Sequence, residues 1–535
     1  VLAYGVGLLV GLGMAALMLP GDTLAGTGGM FRYPVGDLAT NLAGHLAFQA
    51  PGWHWPPLRT PSLALPDGES VAMMDANPIL SVAAKLVSPL AGHPINLFGA
   101  WLALCMVLQA TGAVYVLRGF TGGVLPGGRV ASIATAAAAA KLAVMLPEFL
   151  FRVFHINLMG QFLLLAALGV SLRHGEAKPA PRFAAMLGLL TLAVFIHPYL
   201  FIFCAITLAG PAVHRLLRRQ PGARAAVRNF ALAAQIPAAL FLLVNGSSGA
   251  GGGPGFGLYS MNLAGPVWPQ RSGLFGASLP VLDATGYQHE GFNYLGAGVL
   301  LLLAAAAICL ARAGRACRAD IWRRHCGLIV VLAAMTALAI TPRLTFGHSV
   351  ILPLTVPGFD RLFGVVRASG RAIWVVDFAL IGASLSLLAA RLKPPPLILL
   401  LVTVLLLQWL DTAPLRHDAQ AYFAGAGQSP PPVSLPATTH LLRVVPHCGG
   451  SEDAAADPIR LLAIRQGIAL ANARLAHPPS DEVCAQTAAE GLATPVAPGE
   501  ARLFLPSLQS QVDRGHLGTA AVCTPSPAGL LCTNG

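Results

Sequence analysis

Residues 2–19, LAYGVGLLVGLGMAALML, run without a single charge. About 18 helical residues span a hydrocarbon core of ~30 Å. Ten more apolar runs follow, at roughly 96–117, 129–147, 156–172, 183–197, 199–214, 225–244, 294–312, 326–342, 372–391 and 396–410. A continuous apolar run can satisfy its backbone polar groups inside lipid by coiling into a helix. The expected fold is therefore an α-helical polytopic membrane protein with about eleven membrane segments. Composition agrees: only 10% of the 535 residues are charged, against about 25% in a soluble domain. The net charge of +12 does not point to nucleic acid, because the arginines sit in short loops between apolar runs rather than on one soluble face. Val1 stands where a starting Met would be, so upstream residues or a non-standard start codon are expected.

Arginine orients the chain. The loops 118–129, 173–182, 215–228, 312–325 and 391–395 hold 17 Lys or Arg in 55 residues, whereas 20–95, 147–155, 245–293 and 343–371 hold 9 in 163. The positive-inside rule assigns the first set to the cytoplasm and the long loops to the outside. The pair of runs at 183–214 is broken by His197-Pro198, and Pro both lacks a donor and disfavours helix before it. Two short segments, with the break lining a cavity, are expected there.

Residues 1–411 thus form the transmembrane domain, with a long first outward loop at 20–95. Residues 412–535 read as a small extracytoplasmic α/β domain. A proline-rich SPPPVSLP leads into a strand-like HLLRVVP, a helix-like DPIRLLAIRQGIALANARLAH, a strand-like ARLFLP and a final hairpin, GTAAVCTPSPAGLLCTNG. Cys105, Cys204, Cys309, Cys317 and Cys326 lie in or beside apolar runs, while Cys448, Cys484, Cys523 and Cys532 fall in this tail. Four cysteines in an exported domain point to two disulfides. Three connectivities exist, and spacing favours Cys448–Cys484 with Cys523–Cys532. The domain serves either as a structural cap or in acceptor recognition.

The outward loops carry the candidate chemistry. A loop as long as 20–95 is usually functional. Its helix-like stretch 37–49 puts Asp37, Asn41, Gly44, His45 and Phe48 at three- or four-residue steps on one face. The plain alternative for Asp37 is a helix cap, and the same holds for Asp75 ahead of Asn77-Pro78. Trp53 and Trp55 fit interface anchors or sugar stacking. The glycine-rich stretch near 246–257 lacks the Lys of a phosphate loop. Beyond it, Tyr287, His289, Glu290, Asn293 and Tyr294 cluster at a membrane edge. Arg367 and Arg371 stand four apart on the outward side; on a helix they would face together and clamp a phosphate, or else snorkel to lipid headgroups. His155 and His197 are ionisable groups at membrane depth, which either line a cavity or pack as neutral imidazoles. No metal-ligand cluster is visible, so a divalent metal is not supported by the sequence.

The strings GDLATNLAGHLAF, MMDANPIL, FHINLMGQFLLLAAL, IHPYL, GFGLYSMNL, EGFNYLGAGVLLL and VVRASGRAIW together resemble an uncharacterised bacterial family of polytopic membrane proteins. That family looks like the GT-C superfamily of polyprenyl-phosphate-sugar-dependent glycosyltransferases. The resemblance covers most of 1–411. It implies an enzyme of the bacterial inner membrane that moves a sugar, with inversion, from a polyprenyl-phosphate carrier to an extracytoplasmic glycan or lipid-linked acceptor. Asp37 matches the acid of the first outward loop and would be the base. Arg367 and Arg371 would hold the leaving phosphate. His45 and Glu290 would orient the acceptor or tune Asp37, with Asp75, His155, His197, Trp53, Trp55, Tyr287 and His289 lining the substrate. No second acid stands beside Asp37, as it does in members of that superfamily. The competing readings are a polysaccharide or lipid flippase, which should show internal repeats and mid-span polar groups, and a non-catalytic protein of surface-glycan assembly.

Overall fold

The computed structural model describes residues 2–173, 179–246, 256–354, 366–431, 433–475 and 479–534. The glycine-rich stretch at 247–255 and part of the last long loop, 355–365, lie outside the described residues.

Each of the eleven apolar runs forms helix, since helix is the one local structure that pairs every backbone donor within the segment. Among the described residues, six helices are long and apolar enough to cross a membrane: Phe98–Phe120, Pro198–Leu217, Ala223–Asn245, Arg315–Ile340, Ser369–Arg391 and Pro394–Asp411. The other five runs give shorter helices, Leu2–Met18, Gly128–Val144, Phe162–Leu172, Pro179–Ile196 and Ala297–Arg312. Phe98–Phe120 is the central post, packed by Leu2–Met18, Gly128–Val144, Phe162–Leu172 and Trp374–Arg391. The glycines of the first run have a packing reason. A Cβ at Gly11 would stand 2.5 Å from the Val107 Cα, so only glycine permits the two backbones to approach this closely.

His197 breaks the 179–208 region into two helices, Pro179–Ile196 and Pro198–Leu208. The helix Ala413–Phe423, which the sequence assigns to the tail, belongs to the bundle: the Phe423 carbonyl accepts the Thr23 hydroxyl (2.9 Å) and Gln420 donates to the Leu17 carbonyl (2.9 Å).

The C-terminal unit is built on a five-stranded mixed sheet in the order Ala469–Leu470, Leu441–Val445, Glu500–Phe504, Gly529–Asn534, Ala521–Ser526. The first three strands run parallel and the last two pair antiparallel as the expected hairpin. Disulfides join Cys448 to Cys484 and Cys523 to Cys532. The described part of the helix-like stretch 457–477, residues 457–475, is helix only over Asp457–Arg465. Gly467 at φ +75° then turns the chain into the edge strand, a conformation glycine adopts at little cost.

This sheet is tied to the first long loop. Leu470 N–H donates to the Ser62 carbonyl and Leu65 N–H to the Leu470 carbonyl, both at 3.0 Å. Arg465 donates to the carbonyls of Phe31 and Arg32, and Thr40 donates to Asp457 (3.0 Å). The edge strand, otherwise a row of open backbone groups, is thereby covered, and the sheet roofs one end of the bundle.

Candidate functional site

Under that roof lies a cleft of about 270 Å³, lined by residues of the first loop, the 155–158 and 197–199 turns, the 366–371 segment and the C-terminal domain. Its chemistry starts with Asp37. Gly36 adopts φ +60°, ψ −142° and forms the N-cap with no side-chain cap bond. Asp37 is therefore not a cap. Its carboxylate faces His155 Nδ1 at 3.2 Å through one oxygen and Arg474 Nη2 at 3.4 Å through the other. The His155 hydrogen bond, working against burial and helped by Arg474, brings the Asp37 pKa down to about 2. One turn on, Asn41 donates to the Met74 carbonyl (3.1 Å) while its buried Oδ1 has no partner among the described residues.

Asp75 is the second cleft carboxylate. It and Asn77 are left-handed, at φ 53° and 50°, a conformation in which Asp and Asn are several-fold enriched. The pair turns the chain from the 3-10 turn Val71–Met74 into the helix Pro78–Ala91, and Asn77, not Asp75, caps that helix through Leu80 N–H (3.3 Å). Asp75 Oδ1 accepts from Asn157 at 2.6 Å and faces His197 Nε2 at 3.6 Å. Tyr199 N–H donates to His197 Nδ1 (3.0 Å), so the neutral ring carries its proton on Nε2, toward Asp75. Burial, with the Asp37 charge adding to it, raises the Asp75 pKa to about 6 against the pull of Asn157.

Glu290 occupies the short turn Gln288–Gly291. It accepts from Arg152 Nη1 at 2.7 Å and from Arg371 Nη2, and His155 Nε2 stands 3.7 Å away. Burial would raise its pKa; the two guanidiniums and His155 overcome this and hold it far below the carboxylate range. His155, bracketed by Asp37 and Glu290, is held above its ordinary pKa despite burial. Arg371 lies on the 3-10 turn Ser369–Ile373, 5.2 Å over the Tyr199 ring. Its buried Nε has no partner among the described residues.

Seven residues expected at the site, Asp37, Asp75, His155, His197, Glu290, Arg367 and Arg371, line this cleft. Glu290, expected to orient the acceptor or tune Asp37, is the counter-ion of Arg152 and Arg371. Arg367 and Arg371 do not share a helix face, since Arg367 precedes the 3-10 turn; they meet at the cleft by loop geometry. His45 is elsewhere. It lies eight residues past Asp37, ~12 Å along the helix axis. It is fully buried, with Nδ1 on Ser81 Oγ (3.0 Å) and Nε2 on the Ile95 carbonyl (3.1 Å).

Trp53 and Trp55 are 52% and 72% exposed and do not line the cleft; Trp53 packs on Phe48 and Lys85. Tyr287 and His289 sit on the outer side of the Glu290 turn, half exposed, with His289 Nε2 3.8 Å from Glu290. Sequence reading missed Arg152, Asn157, Tyr199, Thr40 and Arg474. Arg152 had a signal, being the one basic residue in 147–155, a loop otherwise short of arginine. Arg474 had none, because it lies in the other domain and in a stretch that reads as helix.

Among the described residues, no group of three or more His, Cys, Asp or Glu could hold a metal ion. The cleft brings together the guanidiniums of Arg367 and Arg371, a carboxyl held down to about 2 at Asp37 and one raised to about 6 at Asp75. No curated protein and no solved structure matches the chain. All cleft residues except those of the C-terminal domain fall within the stretch 8–413 that matches the model of the Domain of unknown function (DUF6311), and the chain belongs to that family.

Proposed function

We propose that this protein is an integral-membrane glycosyltransferase that moves a sugar from a polyprenyl-phosphate carrier to an acceptor hydroxyl outside the cytoplasm. The observation that carries the reading is a pair of carboxylates in one cleft whose surroundings push their pKa values apart, beside two arginines that line the same cleft. Pairs set apart in this way mark acid–base roles. Asp75, near 6, suits a base at neutral pH. Asp37, which would have to give up His155 and Arg474 to take a proton, suits an ionised anchor for acceptor or sugar hydroxyls. This moves the base from Asp37, the expectation from resemblance, to Asp75.

In the step itself, the acceptor oxygen attacks the anomeric carbon as its proton passes to Asp75. The bond from that carbon to the phosphate oxygen breaks, and polyprenyl phosphate leaves with the electron pair toward Arg367 and Arg371. Guanidiniums aimed at developing phosphate charge stabilise such a departure. A single displacement inverts the anomeric centre.

The placement in a bacterial inner membrane, with the C-terminal domain outside, rests on arginine asymmetry and on two disulfides that persist in an oxidising compartment. About eleven membrane segments, five of them short, go with this reading. The partners are the lipid-linked donor, a glycan or lipid-linked acceptor, and surrounding lipid.

The test uses purified protein in lipid nanodiscs with a panel of polyprenyl-phosphate hexoses and pentoses, reading sugar transfer or release to water. Asp75→Asn should lower the rate ~10²–10⁴-fold, and Asp37→Asn should lower it with a larger rise in KM. If no donor of the panel is turned over while a polyprenyl-linked sugar crosses the bilayer intact, the flippase reading replaces this one.

A further inference from the structure

A second pocket lies at the opposite, arginine-rich end of the bundle. Three helix ends meet there: the start of Pro179–Ile196, the stretch Leu208–Arg215, and the start of Ala223–Asn245. The pocket measures about 160 Å³; Arg182, Arg215 and Asn229 line it together with the apolar Met186, Leu208 and Phe230. Arg215 is pre-oriented, since its Nη1 donates to the Pro221 carbonyl (3.1 Å) in the turn that ends at Gly222. Residues 179–246 contain six arginines and no Asp or Glu, so the local field is strongly positive.

Each of the three elements changes from basic to apolar at this level. That is where lipid phosphates sit against a membrane protein. From Asn229, the positions Leu232, Ile236, Leu240 and Leu243 continue on the same helix face, at steps of three or four residues, and all four are 42–59% exposed. An apolar stripe thus runs from the pocket mouth into the apolar zone.

We infer that this pocket binds the phosphodiester headgroup of an anionic phospholipid, Arg182 and Arg215 holding the phosphate, Asn229 the headgroup hydroxyls, and the acyl chains lying along the Leu232–Leu243 stripe. The inference does not depend on the proposed transferase activity. A lipid fits better than a free anion because one wall of the pocket is apolar and opens onto an apolar stripe that acyl chains can follow.

The test is native mass spectrometry of the full protein released from detergent with defined lipids, backed by thermal melting. Wild type should retain phosphatidylglycerol over phosphatidylcholine and melt higher with the former. The double variant Arg182→Gln/Arg215→Gln should lose that preference by about 10- to 30-fold, given the contribution of each surface arginine to anionic lipid binding, with unchanged melting in phosphatidylcholine. Ala226→Trp fills the pocket without removing charge and should abolish the preference as well, which covers the case of a poorly folding double variant. Equal retention of phosphatidylglycerol by wild type and Ala226→Trp overturns the inference. So does a melting shift that inorganic phosphate or polyprenyl phosphate reproduces in full.

Discussion

Asp75→Asn separates stability from function in a way that can be worked out in advance. The Asp75 pKa is about 6 in the folded protein against an ordinary 3.8. At 1.36 kcal/mol per unit, the difference amounts to about 3 kcal/mol. This is an upper figure, because 27% of the side chain is exposed in the cleft. A raised carboxyl pKa means that the native state binds the proton more tightly than the unfolded chain. The stabilisation is therefore complete below pH ~4, declines as pH rises through 6, and is absent at pH 8.

Asn carries no such term. It keeps an acceptor oxygen for Asn157 and His197, and it tolerates the left-handed backbone of position 75. The variant and wild type should then melt together at pH 4, while at pH 8 the variant should be more stable by up to ~3 kcal/mol. The assay is thermal unfolding of detergent-solubilised protein at pH 4, 6 and 8, read as variant minus wild type so that other titrating groups cancel. A difference that does not change with pH, or a variant less stable than wild type at pH 8, refutes the buried-carboxyl argument. A residue that destabilises the protein at the pH where it works has to be explained by what it binds or moves.

Four further outcomes are expected. Glu290→Gln leaves Arg152 and Arg371 buried without their shared counter-ion, and should cost ~3–5 kcal/mol; an unchanged melting temperature contradicts that role. Arg474→Gln removes one of the two cations that hold Asp37 in place, so KM should rise while the acid limb of the pH–transfer profile, set by Asp75, stays where it is; an unchanged KM argues that the C-terminal domain takes no part in the cleft. His45→Asn should leave transfer unaffected while costing ~1–3 kcal/mol through its buried partners, measured as a lower melting point. Thiol labelling of intact protein should leave all four tail cysteines unreacted, and removing the Cys448–Cys484 bridge, which spans 36 residues, should cost about 4 kcal/mol by loop entropy; free reaction of those thiols contradicts the pairing.

What the sequence made legible, and what it did not, follows from the range of the interactions. Eleven helices could be read from uninterrupted apolar runs, because helix formation is satisfied within the segment itself. The break at His197-Pro198 and the final hairpin were equally local. The helix that ends at Arg465 was over-extended because the strand after Gly467 is made by its neighbours, Leu441–Val445 and the Ser62–Leu65 loop, neither of which is near it in sequence. The cleft behaves the same way. Asp37 and Asp75 were visible as rare acids beside helix starts, but their opposite settings were not. They depend on His155 and Arg474 for one and on burial beside Asn157 for the other, contacts that join positions 82 to 437 residues apart. Helical spacing made His45 look like a partner of Asp37, and the same spacing shows why it is not: eight residues of helix carry it beyond reach. Arg474 completes the argument. It comes from outside the stretch that matches the family, yet it bonds Asp37, Thr40 and Asp457 at once. The C-terminal domain is therefore part of the cleft as well as a cover for it, and a bundle cut after residue 413 would leave Asp37 with His155 as its only cation among the described residues.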